Sequence, residues 1–177
     1  MGDRSRRLCG TVVRRFRGEG VQKVDAKGRV SIPASYRTVL RDGDPNWSEG
    51  KMPEFVIVYG DGRRDFLECF TVDAANDVDE RISRMPRGSR RRRALERLFN
   101  GQSLSASVDE TGRIVLPLKQ RQKIGIEGKA YFVAMGDTFQ IWKPESYMAS
   151  EAPIDELLDT MPEGADIWTL LEDGEGD

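Results

Sequence analysis

Histidine is absent from the 177 residues, and the chain has only two cysteines, Cys9 and Cys69. General acid–base catalysis and catalytic triads usually depend on histidine, so its absence argues against those classes of enzyme. Two distant cysteines without a Cys-x-x-Cys pair also argue against a disulfide framework and a zinc site. We therefore expect a protein of the reducing cytosol that is not an enzyme and holds no metal ion or other cofactor.

Long hydrophobic runs are missing as well. No stretch approaches the roughly 20 apolar residues that a membrane-spanning helix needs, and residues 1–11 are polar and basic without the apolar segment of a signal peptide. The phosphate-binding sequence G-x-x-x-x-G-K-[ST] does not occur either. These absences predict a cytoplasmic protein with no membrane partner and no small-molecule substrate.

The chain does contain a ten-residue pattern that occurs twice, in residues 24–33 and 108–117, at a constant offset of 84 residues. Each copy has an apolar residue before Asp, then a Gly-Arg pair, alternating apolar residues and a closing Pro. Asp caps its own turn, Gly permits positive φ, the alternation is typical of a strand, and Pro suits the first position of a helix. Each copy therefore predicts a strand, a tight turn, a second strand and a helix, in two units that pack together.

The segments that follow each turn continue the parallel. The first helix is predicted to end by Asp42 and the second at Gly125, and two strands joined by a hairpin follow each helix. A turn-rich loop at residues 42–53 has no counterpart of equal length in the second copy. The buried positions predicted for the first helix are Tyr36, Val39 and Leu40.

Two further helices are predicted between the copies, at residues 73–84 and from Ser89 to Phe99. The second has the run Arg90-Arg91-Arg92-Arg93 in its first turn, where cations oppose the helix dipole. This run marks either an anion-binding site or a solvated face, and both interpretations stay open. The buried stripe predicted for this helix consists of Ala94, Leu95, Leu98 and Phe99.

Charge is strongly segregated along the chain. Residues 144–177 carry 11 acidic residues and no lysine or arginine, so residues 1–143 have a net charge of +9 although the whole chain has −2. A basic body of this kind predicts a polyanion-binding protein. The acidic tail also has Ile154, Leu157 and Leu158 at helical spacing, so it either docks in part on the basic body and competes with DNA or only aids solubility.

Several cations are predicted to converge at the first turn. Arg29 and Lys27 lie in the turn itself, with Lys23 before it and Arg17 further back; Arg113 is the equivalent of Arg29 in the second copy. Arginine offers a fork for guanine edges or phosphates, and lysine a point charge for phosphate. The first turn should be the better DNA reader, because Glu110-Thr111 replaces Ala26-Lys27 in the second. Arg113 either contacts DNA or is structural, and the Asp and Arg of each turn can also simply pair with each other.

These motifs resemble those of the MraZ family, bacterial transcriptional regulators of the division and cell wall gene cluster that are related to the AbrB DNA-binding module. The resemblance covers residues 16–147. The segments that carry it are Phe16-Arg17-Gly18-Glu19, Asp25/Arg29 and Asp109/Arg113, Ile32-Pro33 and Leu116-Pro117, Leu98-Phe99 and Phe139-Gln140-Ile141-Trp142.

The resemblance implies an α+β fold of two tandem AbrB-like swapped-hairpin β modules, which form a pseudo-dimer within one chain and are joined by helices. It implies a nucleoid-associated regulator that binds double-stranded promoter DNA, its own promoter included, and assembles into a homo-oligomeric ring. The alternative is a ring-forming scaffold whose acidic tail docks a basic partner. The expected divisions are a flexible basic arm (1–15), a first module (16–72), a helical connector (73–101), a second module (102–147) and an acidic tail (148–177).

Overall fold

The computed structural model describes residues 15–150 and 153–172. It confirms a mixed α+β architecture, and the chain divides after Pro144 into two compact units. The strands in the described residues are β1 (Glu19–Lys23), β2 (Arg29–Ser31), β3 (Glu54–Val58), β4 (Phe66–Thr71), β5 (Ser103–Ser107), β6 (Arg113–Val115), β7 (Lys129–Met135) and β8 (Thr138–Trp142). The helices are α1 (Ala34–Asp42), α2 (Val72–Ser83), α3 (Arg90–Glu96), α4 (Leu118–Ile124), α5 (Pro144–Ala149), α6 (Pro153–Thr160) and α7 (Thr169–Glu172).

The strands of the two copies pair with each other. A six-stranded antiparallel sheet has the order β1-β7-β8-β4-β3-β5, and β2 pairs with β6 in a separate two-stranded ribbon. The first strand of each copy therefore lies beside the third strand of the other copy. Within the first copy, an isolated bridge between Val24 and Val30 links the strands before and after the repeated turn, and these two strands form no longer ladder with each other in the described part of the chain. The turn thus links two strands whose main partners belong to the other copy.

The core of the first unit lies between the sheet, the ribbon and helices α1 and α4. Tyr36, Val39 and Leu40 are all buried, as the helical spacing predicts. The ring of Tyr36 packs 5.2 Å from Phe139, and its hydroxyl donates a 2.5 Å hydrogen bond to the Gly18 carbonyl. Burial, followed by the nearby Glu19 carboxylate, raises the pKa of Tyr36 to about 12. Helix α1 is therefore fixed on the core by packing and by a partly buried hydrogen bond.

The ends of the helices also follow the sequence. Gly125 ends α4 with φ of 71°, and the Ser89 side chain accepts a hydrogen bond from the Arg92 backbone N–H at the start of α3. The predicted buried stripe of α3 is wrong, because Ala94 is exposed and the other three residues are only half-buried. Helix α3 ends at Glu96 and a π-helical turn, Arg97–Gly101, follows. This wider turn changes the spacing of Leu98 and Phe99 relative to Leu95, whereas Ala94 is exposed within α3 itself.

The second unit consists of short helices. Helix α6 includes Leu157 and Leu158, two of the residues predicted to share a helical face. The predicted basic arm lies, except for Arg15, outside the described residues, as do residues 151–152 and 173–177 of the tail. No helix within the described residues is long and apolar enough to cross a membrane.

Candidate nucleic-acid interface

The two repeated turns have the same backbone geometry. In the first, the Asp25 N–H donates to the Arg29 carbonyl at 3.0 Å and the Gly28 N–H donates to the Asp25 carbonyl at 2.9 Å. Asp25 Oδ1 also accepts the backbone N–H groups of Lys27 and Arg29, each at 2.9 Å. Gly28 has φ of 81°. The turn predicted from the sequence, with a capping aspartate and a glycine at positive φ, is therefore confirmed.

The second turn repeats these bonds around Asp109. Its N–H donates to the Arg113 carbonyl at 2.8 Å, and its Oδ1 accepts the N–H groups of Thr111 and Arg113, each at 2.9 Å. Gly112 has φ of 76°. The two turns thus differ in their side chains and not in their backbones.

In the first turn the arginine is bonded to the aspartate. Arg29 Nε donates to Asp25 Oδ2 at 2.6 Å, and 41% of the Arg29 side chain remains exposed. The backbone N–H of Arg29, followed by its guanidinium, lowers the pKa of Asp25 below its ordinary value. A guanidinium has five N–H donors, and this pair uses only the one on Nε. Arg29 is therefore held by its own turn, and the four N–H donors on its two terminal nitrogens are not used by this pair.

In the second turn a hydroxyl takes the place of this bond. Thr111 Oγ1 donates to Asp109 Oδ1 at 2.7 Å, and this bond, followed by the backbone N–H of Arg113, lowers the pKa of Asp109 to about 2. Arg113 Nε lies 3.5 Å from Asp109 Oδ2. This nitrogen is buried and has no hydrogen-bond partner among the described residues. Arg113 is thus less firmly held than Arg29.

The β2–β6 ribbon brings both motif arginines to one face. Arg29 is opposite Val115, and Ser31 is opposite Arg113, so the two arginines are diagonal neighbours about 7–8 Å apart. One open groove is lined by both arginines together with Lys23, Lys129 and Asp25. Four cations, two from each copy, therefore surround a single carboxylate.

Lys23 and Lys129 stand directly opposite each other in the β1–β7 pair. Like charges at such positions are destabilising, and a bound anion would relieve their repulsion. Lys129 was not predicted as a site residue, because nothing in the repeat indicates that β7 lies beside β1. Lys129 lines the groove because β7 of the second copy pairs with β1 of the first.

The other predicted cations lie at different distances from this groove. Lys27 is exposed at the tip of the first turn, beside the groove. Arg17 precedes Lys23 by six residues, roughly 20 Å along an extended chain, and its neighbour Phe16 bonds to Gly136, beyond the far end of β7. The structure therefore brings Lys23, Arg29 and Arg113 together, with Lys27 adjacent and Arg17 apart.

The four arginines at the start of α3 differ in their contacts. Arg92 Nε donates to Glu96 Oε1 at 2.7 Å, and its Nη1 donates to the carbonyls of Met85 at 2.7 Å and Ser83 at 3.0 Å. Arg92 therefore fastens α3 to the end of α2. The other three arginines of the run are exposed.

Comparison with known proteins gives concordant results. A family model described as "MraZ protein, putative antitoxin-like" matches residues 100–164. Relatives named Transcriptional regulator MraZ include one from Ruegeria sp. (strain TM1040), 58% identical over 92% of this chain and 98% of the relative. Another, from Ruegeria pomeroyi, is 58% identical over 93% of this chain and 99% of the relative. A third relative, from Cereibacter sphaeroides, is 46% identical over 89% of this chain and 96% of the relative.

Proposed function

The chain belongs to the MraZ family of transcriptional regulators, and on that premise we propose that it regulates transcription by sequence-specific binding of double-stranded promoter DNA. The first Asp-x-x-x-Arg turn is the reading element. The target is the division and cell wall gene cluster, including the protein's own promoter. In this proposal the protein works in the cytoplasm, associated with the nucleoid.

The observation that carries the proposal is the groove where Lys23, Arg29, Arg113 and Lys129 meet beside Asp25. A concave surface with a net positive charge attracts a polyanion, and phosphate contacts supply most of the affinity for DNA. Lysines suit phosphates, whereas a guanidinium held in a fixed orientation suits the two acceptors of a guanine edge. Because Asp25 already orients Arg29, that arginine is the best candidate for the base contact.

We also propose that the two copies act as a swapped-hairpin pseudo-dimer, and that chains assemble into a closed homo-oligomeric ring. The first part is supported by the pairing of β1 with β7 and of β5 with β3, each between copies. The second is supported by the outer edges of β1 and β5, which pair with no further strand of the six-stranded sheet among the described residues, since such edges are usually covered by another element or chain. Light scattering at micromolar concentration would detect a monomer and so refute the ring.

Binding to DNA is tested with a duplex that this chain selects from a random-sequence pool and with a scrambled duplex of equal composition. Fluorescence anisotropy is measured across a salt series for the unchanged protein, Arg29→Ala and Arg29→Lys. Both variants should lose roughly 1–3 kcal/mol on the selected duplex if Arg29 reads a base. Arg29→Lys keeps the charge, so its affinity for the scrambled duplex should not change.

The matched control is Arg63→Ala. Arg63 is 91% exposed and pairs with Asp61 in the hairpin between β3 and β4, outside the groove. Circular dichroism and gel filtration check that each variant retains its fold and assembly. Equal affinity of Arg29→Ala and the unchanged protein for the selected duplex would refute the base contact. Failure to select any sequence would favour the ring-forming scaffold instead.

A further inference from the structure

The tip of the first turn is covered by an arginine from the other copy. Arg121 on α4 donates from Nε to the Leu116 carbonyl at 2.9 Å, and the Leu116 N–H donates to the Gly28 carbonyl at 2.8 Å. A Cβ placed on Gly28 would overlap the Leu116 oxygen and would lie 2.9 Å from Arg121 Nε. The guanidinium, the Leu116 peptide and the turn are therefore in direct contact.

The same arrangement exists in reverse at the second turn. Arg37 on α1 lies 84 residues before Arg121, and its guanidinium covers Gly112. Each helix thus extends one arginine over the turn of the other copy. The two arginines are not equivalent in their bonding, because Arg37 is exposed and its side chain makes no hydrogen bond within the described part of the chain. Arg121 is half-buried and bonded.

We propose that Arg121 is a positioning residue for DNA reading, through which the second copy sets the geometry of the first copy's turn. The inference rests on the proposed function of Arg29, which follows Gly28 directly in the chain. A recognition side chain must be held to within about 0.5 Å by its supporting groups. Gly28 has no side chain of its own to anchor it, so the Arg121 and Leu116 bonds supply that support from outside the turn.

Substitution by lysine separates positioning from simple charge. Lysine keeps the cation but lacks the planar Nε donor that bonds to Leu116. Arg121→Lys is therefore expected to weaken binding to the selected duplex about 5- to 10-fold, the equivalent of one lost hydrogen bond. Its affinity for the scrambled duplex and the salt dependence of that affinity should stay unchanged.

Two further variants complete the test. Arg37→Lys makes the same change at the equivalent position of the second turn and should leave binding to both duplexes unchanged. Arg121→Met keeps the aliphatic packing and donates no hydrogen bond, so it should also lose affinity for the selected duplex and not for the scrambled one. If Arg121→Lys does not fold, Arg121→Met takes its place in the test. Thermal melting of every variant accompanies the anisotropy measurements.

Three results would overturn the inference. If Arg121→Lys binds like the unchanged protein and Arg121→Met lowers the salt slope by about 0.9, Arg121 is only a phosphate contact. If binding to both duplexes falls together with the melting temperature, its role is only structural. If Arg37→Lys loses as much as Arg121→Lys, the asymmetry between the turns has no functional meaning.

Arg29→Lys in the same assay distinguishes failure of this inference from failure of the proposed function. If Arg29→Lys discriminates between the duplexes as well as the unchanged protein does, the proposed reading function fails. If Arg29→Lys loses discrimination and Arg121→Lys keeps it, only the positioning role of Arg121 is overturned.

Discussion

The two Asp-x-x-x-Arg turns have matching backbone bonds and different side-chain chemistry. Asp25 is bonded by the guanidinium of Arg29, whereas Asp109 is bonded by the hydroxyl of Thr111 and leaves Arg113 Nε without a hydrogen-bond partner among the described residues. The first turn is also covered by a bonded arginine, Arg121. Backbone bonds and the capping aspartate form both turns in the same way, so the other side chains can differ between them. In our proposal it is the first turn that reads DNA.

The largest expected difference between the turns concerns their glycines. Gly112→Ala should cost about 1–2 kcal/mol in the free energy of unfolding, because alanine is strained at positive φ. The Arg37 side chain that it would meet can move away. Gly28→Ala should cost about 3 kcal/mol or more, because its Cβ also meets the backbone oxygen of Leu116, which cannot move freely.

Urea unfolding of both glycine variants measures this difference. The unchanged protein and Gly62→Ala provide the control, since a Cβ at Gly62 meets no atom within 4 Å. Equal destabilisation by Gly28→Ala and Gly112→Ala would show that the Leu116 contact adds nothing to the strain of positive φ.

A smaller difference is expected from the residue before each glycine. Lys27→Thr makes the first turn resemble the second, and it should weaken binding to selected and scrambled duplexes alike and lower the salt slope by about 0.9. The reason is that Lys27 is exposed at the tip and suits a phosphate. Anisotropy over a salt series measures the slope. A loss confined to the selected duplex would instead assign Lys27 to base reading.

Thr111→Lys is the reciprocal change. It adds a cation next to Glu110, which offsets part of the added charge, so the gain in affinity should be smaller than the loss caused by Lys27→Thr. An equal gain would show that the two turns contact DNA equivalently.

The smallest expected difference between the turns is in how the aspartate pKa affects stability at low pH. Because the pKa of Asp109 is lowered to about 2 in the fold, its stabilising contribution is fully present above its unfolded pKa near 4 and is lost as pH falls through about 2. Thr111→Val removes the hydroxyl that is the main cause of this shift, so the Asp109 pKa should rise toward its ordinary value. Carboxyl ¹³C NMR titration measures it, with Asp25 as the internal control. An unchanged Asp109 pKa would assign the shift to the backbone N–H groups.

Much of this architecture could be predicted from short-range pattern. The apolar run and hairpin turn after the first helix predict a pair of strands, which the structure shows as β3 and β4, and helical spacing predicts the three buried positions of α1. Such features depend on backbone geometry within a few residues, which the local sequence controls. The buried stripe predicted for α3 is wrong, because Ala94 is exposed within the helix and the π-helical turn after Glu96 changes the spacing of Leu98 and Phe99.

The candidate site was only partly predictable. The repeat marks Arg29 and Arg113, and Lys23 and Lys27 are indicated by their closeness in sequence to the first turn. The offset of 84 residues also relates Arg37 to Arg121, so this pair could be found from the sequence as well. Lys129 could not, because it reaches the groove through the pairing of β1 with β7. Proximity in sequence places Arg17 with the turn, although the extended strand β1 carries it away from the groove.

The sequence by itself determined the two turns, since Asp, Gly and Arg at that spacing satisfy one another through bonds spanning at most four residues. Tertiary structure decided which strands lie together, because the hydrogen-bonding edges of β-strands are alike and the packing of side chains such as Val30 and Ile114 in the shared core favours one partner over another. That choice brought Arg113 and Lys129 beside Arg29, and it placed Arg121 over Gly28. The proposed DNA-binding surface is therefore built from both copies, although its central motif can be recognised in the sequence of the first copy alone.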